Sequence, residues 1–228
     1  MIIGNGMIAK AFKEFKNNSS EYIIFASGVS SSKTEDKQEF IREQQLLEMT
    51  LDKYQDKFFI YFSSCSLLNE KLKNDKYHQH KLNMENIIKK KISKYLICRL
   101  PNVVGKDNNK NTLIAYLVKN ILNNRPINVW SGAVRNIIDI DDVVKIVFYI
   151  IENNIFVNQT VHIANKSNIS IFDLINKLSI YLKRDVNIIT IQTEIETLTI
   201  PKDISEISDK LLIRFDNNYI NTIITKYY

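Results

Sequence analysis

Residues 58–81 read FFIYFSSCSLLNEKLKNDKYHQHK. Phe58 to Phe62 is an unbroken apolar run, which predicts a strand buried on both faces of a sheet. The strand stops in a polar cluster, Ser63, Ser64, Cys65 and Ser66. Hydroxyls at the end of such a strand stand at the carboxyl edge of the sheet, where open α/β folds hold their ligands. Thirteen residues after Ser64 comes Tyr77, and Lys81 follows four later. If 77–91 is helical, Tyr77 and Lys81 share one face of that helix. A phenol titrates near ~10, and a neighbouring ammonium favours the phenolate. Tyr77 then becomes a general acid or base for a hydroxyl or carbonyl, with a serine hydroxyl orienting the same oxygen. The same spacing also describes a Tyr and a Lys on a solvated helix face.

Working outward toward the N-terminus, Met1 to Ile3 predicts a strand that runs directly into Gly4, Asn5, Gly6, Met7, Ile8 and Ala9. Ala11, Phe12 and Phe15 continue at helical spacing. Strand, tight glycine turn and helix together let a pyrophosphate approach the backbone and sit on a helix N-terminus. Tyr22 to Phe25 is a second strand ending in Ala26, Ser27 and Gly28, and residues 39–54 read as a helix with Phe40, Ile41, Leu46, Leu47 and Met49 on its apolar side. Tyr95 to Leu100 is a further strand, stopping at Pro101, Asn102, Val103, Val104 and Gly105. Four of the five glycines, Gly4, Gly6, Gly28 and Gly105, thus lie just past a predicted strand end. One shared carboxyl edge, with backbone that must come close to a ligand, accounts for that distribution.

Toward the C-terminus, residues 112–122 form an amphipathic helix and 126–130 a short extended piece. Gly132 to Arg135 precede a strand at 137–140 and a largely apolar helix at 141–151, capped by Asp141 or Asp142. Residues 160–164 are extended. Ser170 with Asp173 three residues on resembles a capping box that opens a helix through Leu182, and 186–191 is a strand candidate. The remainder, to Tyr228, carries no clear periodicity.

At 228 residues the chain holds one large core with room for a smaller lobe. Its 45% hydrophobic and 10% aromatic content is that of a globular protein. No apolar run approaches the roughly 20 residues of a membrane helix, and the N-terminus lacks a signal-peptide layout, so a cytoplasmic location is expected. Cys65 and Cys98 have no metal-like spacing, and no metal is expected. The net charge of +6 comes from lysines spread along the chain, the longest run being Lys89 to Lys91. That spread argues against a nucleic-acid partner and suits anionic phosphate ligands.

The glycine turn, the serine-ended strand, the Tyr77/Lys81 pair and the segment beginning Arg135-Asn136-Ile137-Ile138-Asp139, in this order, resemble the extended short-chain dehydrogenase/reductase family of sugar-nucleotide epimerases, dehydratases and reductases. The resemblance covers nearly the whole chain. It implies an α/β protein with a Rossmann-like, mostly parallel sheet, helices on both faces and a small C-terminal substrate lobe. Residues 1–165 would be the dinucleotide-binding domain, 166–228 the lobe, and 106–130 a contribution to it. It further implies NAD or NADP as cofactor, with Tyr77 as acid/base and Lys81 also holding the nicotinamide ribose. Ser64 or Ser63 completes the trio; Ser63 fits better if the segment is matched to the Gly-Ser-Ser-Cys of the family's GDP-fucose synthases, and Cys65 is then a second acid/base beside the substrate. Its alternative is a small buried apolar residue. By the same resemblance Gly4, Asn5, Gly6, Met7, Ile8, Ala26, Ser27, Gly28, Pro101, Asn102 and Val103 line the cofactor, while Asn102 and Arg135 reach the substrate. Arg135 would grip the nucleotide diphosphate; its alternative is an ion pair with Asp139 or Asp141.

The chain departs from the family in two ways. The family's first glycine falls at Ile3 and its third at Ala9. The interval between the glycine turn and the serines is short enough that Tyr22 to Gly28 matches the family's fourth strand. Two edge strands are therefore expected to be missing, and with them the residue that reads the adenosine ribose. Two expectations follow: an NAD(P)-dependent reductase or epimerase of a keto-sugar nucleotide in surface polysaccharide synthesis, or a truncated relative that has lost catalysis and serves as a binding partner. The edge left open makes a homodimer an expected assembly.

Overall fold

The computed structural model describes residues 1–15, 20–29, 34, 36–106, 112–194, 199 and 201–228. Residues 107–111, within the stretch expected to contribute to the lobe, lie outside the described residues. The chain alternates β1 (Ile2–Ile3), α1 (Met7–Glu14), β2 (Tyr22–Phe25), α2 (Lys37–Lys53), β3 (Phe58–Ser64), α3 (Lys76–Lys91) and β4 (Tyr95–Leu100). There follow β5 (Asn102–Val104), α4 (Leu113–Leu122), β6 (Ile127–Trp130), β7 (Val134–Arg135), β8 (Ile137–Asp139), α5 (Ile140–Glu152) and β9 (Gln159–His162). The last elements are β10 (Ile169–Ser170), α6 (Ile171–Leu182), β11 (Ile188–Ile191), α7 (Ser205–Lys210) and α8 (Tyr219–Tyr227).

The main sheet has the order β1-β2-β3-β4-β9, and every pairing in it is parallel. All its carboxyl ends therefore lie on one edge. Side chains alternate between two helical layers. Ile24, Ile60, Phe62, Leu96 and Cys98 pack with Phe12 of α1 and with Val143 and Val147 of α5. Ile23, Phe25, Phe59, Tyr61 and Ile97 pack with Leu47 and Leu51 of α2 and with Met84 and Ile88 of α3. A doubly wound dinucleotide fold has the order 3-2-1-4-5-6, with its first strand in the middle. Here β1 begins the sheet, and among the described residues nothing pairs with its outer side. Among the described residues the two strands expected to be missing are absent, and chain length gives the reason. Residues 15–21 are all that connect α1 to β2, and a strand and helix that return to the sheet need at least ~10–12 residues.

A second core gathers Ile114, Leu117 and Ile121 of α4, Leu174 and Leu178 of α6, and Ile220, Ile223 and Ile224 of α8 with Ile127 and Val129 of β6. It is tied to the sheet layer at the start of α5. Asp139, rather than Asp141 or Asp142, is the N-cap there, accepting from the Asp141 N–H at 2.9 Å. Asp139 precedes the helix in extended backbone, the conformation a cap requires. Lys226 and Tyr227 of α8 hold the same carboxylate at 2.8 and 2.6 Å, and Lys226 also reaches Asp141 at 2.7 Å. Ser170 caps α6 through the Asp173 N–H at 2.9 Å, as its spacing in the sequence predicts. Among the described residues no helix is long and apolar enough to cross a membrane.

The glycine turn after β1 separates two backbone requirements. Gly4 sits at φ +128°, and a Cβ there would come within 2.2 Å of the Ala26 carbonyl oxygen, a backbone atom that cannot give way. A Cβ on Gly6 would meet nothing within 4 Å. Gly4→Ala is expected to lower stability by at least ~2 kcal/mol and Gly6→Ala by less than ~1 kcal/mol, measured by urea unfolding. Equal losses would contradict this reading of the turn.

Candidate active site

The strand ends are drawn together by close backbone approaches. Gly4 abuts Ala26 and Ser27 after β2. A Cβ on Gly28 would stand 2.6 Å from Lys81 Nζ, and one on Gly105 would stand 2.9 Å from Met7 Sδ at the start of α1. Gly4, Gly28, Met7, Gly105 and Lys81 therefore border one region along the carboxyl edge. Gly6 is the N-cap of α1, no side chain caps that helix, and the space over Gly6 is open. The first-turn N–H groups are left for an anion, which fits a dinucleotide pyrophosphate.

Asp75 opens α3 by accepting from the Tyr77 and His78 N–H groups at 2.9 and 3.2 Å, and the helix carries both Tyr77 and Lys81 inward. Tyr77 is 8% exposed and Lys81 2%, so neither stands on a solvated face. Lys81 Nζ lies 5.8 Å from the centre of the Tyr77 ring. The Tyr77 hydroxyl has no hydrogen-bond partner among the described residues.

The ammonium has a partner that the sequence reading did not find. Glu43 of α2, fully buried, accepts from Lys81 Nζ at 3.0 Å and from the Tyr61 hydroxyl at 2.6 Å through one oxygen. Its other oxygen takes His80 Nε2 at 3.0 Å and the Val29 N–H at 2.6 Å. Tyr61 also accepts from Lys81 at 3.1 Å. Burial pushes the Glu43 carboxyl up, but the Lys81 charge and the His80, Tyr61 and Val29 hydrogen bonds outweigh it and hold the group at about 2. Burial and Glu43 together push the Tyr61 phenol well above its ordinary value, so it stays protonated and donating. One N–H of Lys81 remains without a partner among the described residues, free for a hydroxyl of a bound molecule.

The two serines differ. Ser63 donates at 2.6 Å to Glu85, which is itself forked by Arg99 at 2.9 and 2.8 Å. Its proton is committed to a partly buried ion pair, so toward any ligand Ser63 is an acceptor. Ser64 shares its hydroxyl with Ser66 at 2.9 Å, and that hydrogen can be redirected. Cys65 is buried, donates to the Arg99 carbonyl at 3.3 Å, and burial pushes its thiol up to about 12. A thiol in that state is not a base at neutral pH. His78 is buried against the Ser66 carbonyl at 3.1 Å.

Asn102 donates through its side-chain amide to the Asn136 carbonyl, and the buried Asn136 side chain ties the chain to Asn165 and Asn168. This amide network fixes the turn that presents Pro101, Asn102 and Val103. Arg135 turns back on the Val134 carbonyl at 2.6 Å. Of the two acids weighed as its ion-pair partners, Lys226 holds both. A cavity of 580 Å³ between α6 and α8, lined by Asn168, Asp173, Lys177 and Asn221, includes none of the Tyr77, Lys81 or serine positions.

Since folding lowers the Glu43 pKa from an ordinary value near 4.5, its stabilisation is complete above that pH and lost as pH falls toward about 2. The shift corresponds to on the order of 3 kcal/mol. Wild-type protein is expected to lose more than half of this stability, about 2 kcal/mol, on moving from pH 6 to pH 3, measured by urea unfolding. Glu43→Gln is expected to be weaker at pH 7 by ~3 kcal/mol, with Lys81 left unpaired, and to show a shallower acid slope. Identical slopes would remove Glu43 as the titrating group.

Comparison with known proteins supplies the family. The profile described as "NAD dependent epimerase/dehydratase family" matches residues 6–164. No curated protein sequence matches the chain. Among solved structures, RMD from Pseudomonas aeruginosa complexed with NADPH superposes with a TM-score of 0.73 at 14% identity, covering 98% of this chain and 96% of that one. UDP-glucuronic acid 4-epimerase from Bacillus cereus, in complex with UDP-glucuronic acid and NAD, gives 0.69 at 20% identity over 98% and 80% of the two chains. A dTDP-4-dehydrorhamnose reductase from Clostridium acetobutylicum gives 0.64 at 16% identity over 82% and 70%. At these identities the likenesses establish the Rossmann-like fold, while the profile match begins at Gly6 and extends over α1, the serine-ended strand and the Tyr77 helix. This chain belongs to the NAD-dependent epimerase/dehydratase family.

Proposed function

We propose that the protein is a cytoplasmic, NAD(P)-dependent reductase or epimerase of a keto-sugar nucleotide, serving surface polysaccharide synthesis. The observation that carries the reading is the placement of Tyr77 and Lys81 on one buried helix face, at the carboxyl edge between the serine-ended strand and the glycine turn. The nicotinamide supplies the hydride acceptor or donor. The chain's own residues handle the proton and the orientation.

Tyr77 gives or takes the proton at the sugar oxygen. Ser64 donates to that oxygen, since the Ser63 hydrogen is engaged by Glu85. Lys81 offers its free N–H to the nicotinamide ribose, and its charge, partly balanced by Glu43, stabilises a Tyr77 phenolate. The α1 N-terminus at Gly6 takes the pyrophosphate, Met7, Ile8, Asn5 and the 26–28 and 101–103 turns wall the cofactor, and Arg135 with Asn102 reaches the substrate. Cys65 and Ser66 stand where the family's dehydratases carry an acidic pair, which favours reduction or epimerisation over dehydration. In this reading 1–165 bind the cofactor, and 166–228, with 106–130, form the substrate lobe.

The second reading, a non-catalytic binding partner, draws its support from the open β1 edge. Calorimetric titration separates the two: the enzyme reading expects saturable micromolar binding of NADH or NADPH, and the other expects none. Tyr77→Phe is expected to bind the cofactor within about threefold of wild type while losing at least ~100-fold in kcat across a panel of keto-sugar nucleotides. Unchanged turnover would remove Tyr77 from the chemistry. A homodimer covering the β1 edge belongs to either reading, and light scattering at twice the chain mass of 26.6 kDa is the expected result.

A further inference from the structure

The doubly wound fold is made of two mononucleotide-binding halves on either side of its first strand, and a dinucleotide lies across the crevice between them. Among the described residues of this chain only one of those halves is built. On one side of β1 stand β2, β3, β4 and β9, with the Gly28 turn, Tyr77, Lys81 and the 101–105 turn along their carboxyl ends. On the other side, among the described residues, the sheet ends. The connection from α1 to β2 is residues 15–21, a length that cannot supply a strand, a helix and a second strand. The phosphate-facing turn itself is intact: Gly4 holds its positive φ against Ala26, and Gly6 leaves the N-terminus of α1 open.

From this we infer that the site recognises a nicotinamide mononucleotide rather than a dinucleotide: the nicotinamide, its ribose and its phosphate carry the affinity, and the adenosine half adds little. The inference rests on the cofactor role proposed above and goes beyond it. Affinity follows from groups that are desolvated and paired on binding. In the roles proposed above, the Lys81 N–H left over from Glu43 and Tyr61 and the buried Tyr77 serve the nicotinamide side, and the uncapped first turn of α1 serves the phosphate next to it. The strand whose carboxyl end would read the adenosine ribose is the one the short connection excludes.

The test is a set of calorimetric titrations on the full chain with NADH, NADPH, reduced nicotinamide mononucleotide and 5′-AMP, followed by competition. Reduced nicotinamide mononucleotide is expected to bind within about tenfold of NADH and to displace it competitively, while 5′-AMP at millimolar concentration leaves NADH bound. NADH binding more than about tenfold tighter than the mononucleotide, or displacement by 5′-AMP, would overturn the inference and leave the cofactor role standing. A well-folded sample that binds NADPH but neither NADH nor the mononucleotide would overturn the inference alone, and one that binds none of the three would overturn both.

Discussion

Glu43 and Lys81 face each other at 3.0 Å inside the protein, with side chains 0% and 3% exposed. Two charges removed from water at this depth are tolerable only when every donor and acceptor finds a partner. Here the four acceptor positions of Glu43 are filled by Lys81, Tyr61, His80 and the Val29 N–H. Those partners come from α3, from β3 and from the turn after β2. The pair therefore fixes three segments against α2 at once, and it does so beside Tyr77. Removing either charge would leave the other buried and alone, so the arrangement behaves as a unit.

The two faces of the sheet are built differently. Toward α1 and α5 the layer is apolar throughout, with Phe12 against Phe62 and Phe148 at ring distances of 5.3 and 5.4 Å. Toward α2 and α3 the apolar core gives way near the carboxyl edge to two ion pairs, the buried Glu43 with Lys81 and the partly buried Glu85 with Arg99. Glu85 in turn takes the hydroxyl hydrogen of Ser63. Polar groups are buried here where dispersion packing alone would be simpler, and they lie next to the proposed reacting groups. That concentration of buried charge is what a site for proton movement and phosphate ligands requires.

Much of the layout was readable because it rests on local rules. Phe58 to Phe62 reads as a buried strand since both faces must be apolar, and Ser170 with Asp173 reads as a cap since the bond spans three residues. The sequence places the cap at Asp141 or Asp142 instead of Asp139, because the three acids are equivalent in sequence and only the extended backbone at Asp139 distinguishes it. Helix α8 was not read at all: Ile220, Ile223 and Ile224 have helical spacing but follow an unpatterned polar stretch. The sequence reading gives α2 the apolar side of Phe40, Ile41, Leu46, Leu47 and Met49, of which only Leu47 is buried, and so passes over Glu43. The buried residues of α2 are Glu43, Leu47, Thr50 and Leu51, and a stripe at that spacing with a glutamate in it was the available signal.

The sequence by itself determined the order of the main strands and helices as far as β11, the glycine turn, the Tyr77/Lys81 face and, through the seven residues 15–21, that two strands cannot exist. These are matters of period, capping and chain length, which act over a few residues. Tertiary structure alone decided which acid meets Lys81, that Ser63 gives its proton to Glu85, and that Lys226 rather than Arg135 holds Asp139 and Asp141. Those partners are separated by 38, 22 and 87 residues. Nothing in local sequence pairs them, because side chains so far apart meet only once the parallel sheet has brought its carboxyl ends to one edge.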